Sequence, residues 1–328
     1  MSFYDDRLSM MRKTALPLWV LVFAVLLPNG LQAADSSTAL PSTGLIFGDN
    51  DHLKTERVTL TISPTMIRHH YTLRNISDRP ATVRITFPLP DIPVELALYG
   101  ALSFPVYGDI NFVGFKTLVD NQAVKAIAER KIYSGDKDIT GDYLQNGLPD
   151  TFSAPHFSQL LNSEYKYALL TKFGAFGKPG TVQKTRFHWL QSFPPRQQVE
   201  IQHRYQPMAG ITPVWDSEAR SFAQKKWKDK YCLSEESIAK IIDDFRAIED
   251  KDFLTSALEI EYIRPDGTDS ASAANGFDLH VISDGNYRYA AMCMPDGRTG
   301  SFGKKLNALA KHFKPNSALN ILFLGAFH

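Results

Sequence analysis

Apolar and polar residues alternate with a period of two along much of the chain, which is the signature of strands buried on one face. In Arg57 to Ser63, Val58, Leu60 and Ile62 fall on one side and Thr59 and Thr61 on the other. Ser63-Pro64-Thr65 reads as a turn, and Ile67, His69, Tyr71 and Leu73 then alternate with Arg68, His70, Thr72 and Arg74. After the turn formers Asn75 to Pro80, Val83, Ile85 and Phe87 alternate with Thr82, Arg84 and Thr86. Three such strands in sequence order predict an antiparallel meander. Proline cannot donate to a ladder, so Pro88 and Pro90 end the third strand or place it on an edge. With Pro93 they are expected to lead Asp91 to Phe115 out as a stiff extended segment.

Farther on, Asp120-Asn121 between apolar positions reads as a hairpin turn. Phe157, Leu160, Leu161, Tyr165, Ala168 and Leu169 have helical spacing. Strands resume over 186–193 and 198–205, joined by Pro194-Pro195-Arg196. Ser234 is a natural N-cap for a helix with Glu235 and Glu236 in its first turn and a stripe of Ile238, Ile241, Ile242, Phe245 and Ile248. More strands are expected over 258–263, 277–282, 287–294 and 319–324. The order predicts a mainly β chain with helical insertions (α+β), an antiparallel β-sandwich-like architecture. Residues 34–328 form one β-rich region, or two sub-domains with a boundary near 208–230.

The first 33 residues change the picture of where the chain works. Arg12 and Lys13 precede the uncharged run Ala15 to Leu27, Pro28-Asn29-Gly30 breaks it, and Leu31-Gln32-Ala33 ends in a small residue. This is the anatomy of a signal peptide over 1–33, cleaved between Ala33 and Ala34. The apolar run falls short of the roughly 20 residues of a membrane span, so no transmembrane anchor is expected after cleavage. The chain has 36 basic and 35 acidic residues. Taking away Arg7, Arg12, Lys13, Asp5 and Asp6 leaves the charges balanced, and nucleic acid is not an expected partner. Lys225 to Lys230 is dense in lysine, but Glu235, Glu236, Asp243 and Asp244 lie close behind to compensate. The two cysteines, Cys232 and Cys293, are expected to form a disulfide in an oxidising compartment, periplasmic or secreted. That bond would pin a helix to a sheet.

Candidate chemistry is sparse. The sequence holds no nucleophile elbow, zinc-protease helix, phosphate-binding loop or calcium loop. His69 and His70 are neighbours in a strand, so they point to opposite faces and do not share a metal. His188 and His203 lie in what read as adjacent strands and could meet across the sheet, a structural pair rather than a metal site, which wants three or four ligands. Asp136, Asp138 and Asp142 with Gly135 and Gly141 read as a solvated turn. No catalytic residue, metal or cofactor is expected. In the irregular segment after the prolines, Tyr99, Phe104 and Tyr107 are candidate partner contacts, because binding residues gather on long loops held by rigid sheets.

A set of blocks, in order, resembles an exported bacterial family known as domain of unknown function 4424 (DUF4424). They include Gly44-Leu45-Ile46-Phe47, Tyr71 to Asp78 (YTLRNISD), Phe87-Pro88-Leu89-Pro90-Asp91-Ile92, Asn111 to Phe115 (NFVGF), His203-Arg204-Tyr205-Gln206-Pro207, Tyr231-Cys232 and Leu319 to Leu324 (LNILFL). The chain departs from the family at Asp269 to Gly276, where an aromatic, Gly-Pro-rich link is replaced by DSASAANG. A fainter similarity, in Arg74-Asn75, Phe87-Pro88-Leu89-Pro90 and Val199 to Pro207, is to the VIT domain of inter-alpha-trypsin inhibitor heavy chains, which would imply a β-sandwich interaction module. The resemblance implies export and supplies no catalytic residues. The leading expectation is a non-enzymatic binding or envelope-associated interaction module, its partner another envelope protein or a ligand of unidentified type. The alternative is a hydrolase with an unrecognised acid/base site.

Overall fold

The computed structural model describes residues 38–48, 51–153, 157–175, 177, 180–214, 226–249, 254–265, 277–293, 300–309 and 317–327. The proposed leader and the Ala33–Ala34 cleavage point, the 215–225 part of the possible boundary and the 269–276 link lie outside them. Ser36–His328 forms one compact unit.

Three sheets carry the fold. A six-stranded sheet runs in the order Ile46–Phe47, Ala81–Pro88, Thr181–Phe193, Ile127–Ser134 and Lys137–Asp138, with Ile92–Pro93 also paired to Thr181–Phe193. A seven-stranded sheet runs Lys305–Leu309, Phe277–Ile282, Leu53–Ile62, Ile67–Asn75, Gln198–Tyr205, Lys116–Val119 and Gln122–Ala123. A five-stranded sheet runs Gly210–Val214, Leu254–Ile263, Ala318–Phe327, Tyr287–Cys293 and Gly300–Gly303. The α+β, β-rich class read from the sequence is the observed one. Among the described strands the ladders are antiparallel except that Phe277–Ile282 lies parallel to Leu53–Ile62, and an isolated parallel bridge joins Ser42 to Tyr262.

The six- and seven-stranded sheets meet through their apolar faces. Phe87 of the first stacks on Phe115 at 4.2 Å and packs 4.9 Å from Tyr205 of the second. The five-stranded sheet is buried on both faces, and the period of two sorts its residues cleanly. Ile321 and Phe323 join the large core, whereas Leu322 and Leu324 join a second cluster with Trp227, Tyr231, Ile238, Ile241 and Ile242. The helix Glu235–Glu249 covers that second face. Its start is capped as expected, the Ser237 amide donating to Ser234 Oγ at 3.1 Å.

Three expectations need correction. The predicted meander does not form. Ile67–Asn75 pairs with Leu53–Ile62 and Gln198–Tyr205, while Ala81–Pro88 pairs with Thr181–Phe193 in the other sheet. The chain changes sheets at the Asn75–Pro80 turn and changes again at Pro194–Arg196, and the two crossings are clipped together. Asn75 Nδ2 donates to the carbonyls of Arg79 and Phe193 at 2.8 and 2.9 Å, the Arg196 amide to the Ser77 carbonyl at 3.1 Å, and Arg196 pairs with Asp78 at 2.8 Å. An alternating pattern fixes which residues face inward but not which neighbour the strand takes. For the same reason His188 and His203 sit in different sheets and do not meet.

Nor does the proline stretch project away. Pro88 ends its ladder, but the Leu89 amide still donates to Thr185, and Ile92–Pro93 rejoins the same strand. Pro93, with φ −64°, then caps the short helix Val94–Leu98. Leu89, Ile92, Val94, Leu98, Leu102, Phe104, Phe112, Val113 and Phe115 are all buried. Apolar density overrides the breaks.

Candidate functional site

The strands Ile67–Asn75, Gln198–Tyr205 and Lys116–Val119 are adjacent in the seven-stranded sheet, and their outward residues form its solvent face. The register places Arg204 directly opposite Arg68 on one side and Lys116 on the other. Three cations therefore stand in one row across three strands, all exposed. Like charges directly opposite one another destabilise a sheet; where they recur, at Lys131 opposite Lys184 and at Lys54 opposite Arg74, a carboxylate pairs with at least one of the two. Arg57 pairs with Asp278, Arg74 with Glu56, Arg186 with Glu129 and Lys131 with Asp138. No carboxylate among the described residues lies in ion-pair contact with Arg68, Lys116 or Arg204.

Local chemistry fixes the third strand of the row. Asp120 and Asn121 have φ of 46° and 64°, the left-handed pair of a tight hairpin turn that these residue types tolerate. The Asp120 carboxylate accepts from the Glu200 amide at 2.9 Å, and Thr117 donates its hydroxyl to the Gln202 carbonyl at 3.2 Å. These bonds hold Lys116 and Leu118 beside Arg204 and Gln202. Together the outward side chains of Arg68, Lys116, Leu118, Gln202 and Arg204 line a groove of about 320 Å³. One end is strongly basic. Toward the other, His70 lies 3.3 Å from the Glu200 carboxylate.

The inward face of the same strands carries the opposite chemistry. His69 and His203 face each other in register, stacked at 4.3 Å and closed to water. His69 Nε2 bonds the Tyr262 hydroxyl at 2.8 Å. Tyr205 donates to the Thr43 carbonyl at 2.5 Å, and the Leu45 amide donates to the Tyr71 hydroxyl at 3.2 Å, so the phenols clasp the strap at 42–45. A side chain at Gly44 would put its Cβ 2.6 Å from the Tyr71 oxygen. Burial lowers the His69 pKa to about 3, and burial together with the neighbouring His69 lowers that of His203 well below the usual range. Neither nitrogen of His203 has a hydrogen-bond partner among the described residues. Burial raises the three phenols, Tyr71, Tyr205 and Tyr262. The cluster is shifted in the way active sites are, yet its side chains sit at 0 to 2% exposure.

Cys232 and Cys293 form the disulfide, tying the turn before the helix Glu235–Glu249 to the end of Tyr287–Cys293. Among the candidate contacts, Tyr99 and Tyr107 are 65% and 53% exposed, while Phe104 is buried edge-on against Tyr107 and Phe112 at 5.6 and 5.8 Å. Phe104 is therefore a core residue and not a surface contact. The lysine-dense stretch is compensated, by Glu235 at Lys228 and by Glu259 at Lys230. Glu259, which also accepts from Tyr231 at 2.7 Å, carries no local sequence signal of this role, because it lies 29 positions beyond Lys230 with the helix Glu235–Glu249 between them. Asp138 closes a hairpin turn, accepting from Thr140 and pairing with Lys131; these bonds lower its pKa to about 2. Among the described residues no group of three or more His, Cys, Asp or Glu gathers to hold a metal, and no helix is long and apolar enough to cross a membrane.

The family described as domain of unknown function DUF4424 matches residues 33–322. The chain belongs to the DUF4424 family. None of the curated proteins matches the chain. Solved structures similar to this DUF4424 chain include a protein proposed as nutrient binding from Legionella pneumophila, at 14% identity and TM-score 0.43, over 88% of this chain and 72% of that one. Another is an M1 zinc metallopeptidase from Deinococcus radiodurans, at 12% identity and TM-score 0.22, over 89% of this chain and 44% of that one.

Proposed function

We propose that this DUF4424 protein is an exported, non-enzymatic binding module whose ligand carries negative charge and seats on the outer face of the seven-stranded sheet. The observation that carries the reading is the row Arg68, Arg204 and Lys116, brought together from three strands without a described counter-ion and set in a groove. Uncompensated like charges cost stability, so their placement is explained by something that arrives with the opposite sign. Export is supported by the signal anatomy of residues 12–33 and by a disulfide, a bond that persists in oxidising compartments. A non-enzymatic role fits the His69–His203 cluster being sealed in the core, where it meets no substrate. Exposed Tyr99 and Tyr107 offer a separate contact for an envelope partner.

The test is titration calorimetry of the exported protein with inorganic phosphate at low and high salt. Binding should weaken as ionic strength rises and vanish in the triple variant R68Q/K116Q/R204Q. Equal behaviour of variant and wild type overturns the reading. Intact mass of the exported protein should begin at Ala34, and a retained leader removes the export claim.

A further inference from the structure

The groove is not uniform along the strands, and its asymmetry says more than the sign of the ligand. At one end stand Arg68, Arg204 and Lys116 in register. Neighbouring strands lie about 4.8 Å apart, so the outer two cationic side chains leave the sheet roughly 10 Å apart, with Arg204 between them. An anion of two linked oxyanions spans that width and engages all three, with Arg204 shared. Arginine suits this position because its planar fork donates to two oxygens at once.

Two residues farther along the strands the lining changes. Gln202 and Leu118 lie opposite each other, directly below Arg204 and Lys116 in the pleat. Both are half-buried and line the same groove, one offering an amide and the other an apolar surface. One pleat farther, Glu200 presents a carboxylate beside His70. That carboxylate disfavours a second anionic end there.

Building on the anion-binding reading above, we infer that the groove takes its ligand in one polarity, a head of two linked oxyanions over Arg68, Arg204 and Lys116 and an apolar body over Leu118 and Gln202. The ligand class is an organic diphosphate with an apolar substituent. The diphosphate can belong to a free small molecule or to a lipid headgroup, and the free molecule is the better fit, because the cations line a groove instead of crowning a flat face.

The experiment compares inorganic phosphate, inorganic diphosphate and isopentenyl diphosphate by titration calorimetry, with vesicles of phosphatidylglycerol as a fourth arm. Affinity should rise about tenfold from phosphate to diphosphate and again by several-fold with the apolar group. Arg204→Gln should weaken both diphosphates strongly. Leu118→Gln should remove the gain from the apolar group and leave inorganic diphosphate as before. Urea unfolding of each variant separates lost binding from lost folding. If phosphate binds as tightly as diphosphate, the two-headed inference falls and the anion-binding reading stands. Binding of vesicles without soluble diphosphate overturns the free-ligand assignment. Binding of none of the four overturns both.

Discussion

The two faces of one strand pair differ more than any two regions distant in sequence. Arg68, His69 and His70 are consecutive, as are Gln202, His203 and Arg204. On the inner face His69 and His203 stack out of reach of water, held neutral among tyrosines. On the outer face Arg68 and Arg204 stand charged and side by side. The pleat separates these environments by a single residue. Stability and recognition are thus written on alternate positions of the same segments, and substitutions should separate them.

The largest effect is expected from the inner face. Phe87 is 1% exposed, stacked on Phe115 and packed against His203 and Tyr205. Phe87→Ala should cost roughly 3 to 5 kcal/mol in urea unfolding, while the molecules that remain folded keep their affinity for diphosphate. Loss of binding in a folded Phe87→Ala protein would show that the two faces are coupled and break the comparison.

The sequence disclosed these faces unequally. The alternation in 67–75 and 198–205 placed His69 inward and His70 outward without a structure, because the pleat is a local property. It also marked the Asp120-Asn121 turn and the cap at Ser234, which depend on few neighbouring residues. The pairing of Arg204 with Arg68 and Lys116 was not legible. It joins positions more than eighty apart, and it depends on the chain changing sheets at Asn75–Pro80 and Pro194–Arg196. Those crossings rest on side-chain bonds such as Asn75 to Phe193, which leave no periodic trace. Composition misled for the proline stretch, where breakers suggested an excursion and the apolar residues between them filled the core instead.

A smaller effect comes from pH and again belongs to the inner face. The folded protein keeps His69 neutral down to about pH 3 and His203 well below its usual range. In the unfolded chain both rings take up protons as pH falls through roughly 6.5. The unfolded state therefore binds more protons, so stability is complete above that value and declines as the solution is acidified toward pH 3. The slope should be about 1.4 kcal/mol per pH unit for each imidazole. The surrounding phenols, raised by burial, stay neutral throughout this window. Urea unfolding at a series of pH values between about 6 and 5, above the range where carboxylates such as Asp138 add their own loss, should show the decline, and His203→Phe should reduce its slope there by about half. An unchanged slope in that variant would mean that the buried ring does not titrate on unfolding as its environment requires.

The smallest effect has the opposite sign and lies on the outer face. Arg204 faces Arg68 and Lys116 directly, and like charges so placed repel. Arg204→Gln should raise the unfolding free energy by roughly 0.2 to 0.5 kcal/mol, most visibly at low salt where screening is weakest. Arg74→Gln, on the same solvent face but paired with Glu56 at 2.6 Å, provides the contrast. It should be neutral or destabilising by up to about 1 kcal/mol. A gain for Arg204 alongside no gain for Arg74 would show that the basic row is kept at the expense of stability, as a binding surface is. A loss on removing Arg204, at low and high salt alike, would show instead that the side chain contributes packing through its stem, and the row would no longer stand apart from the paired cations around it.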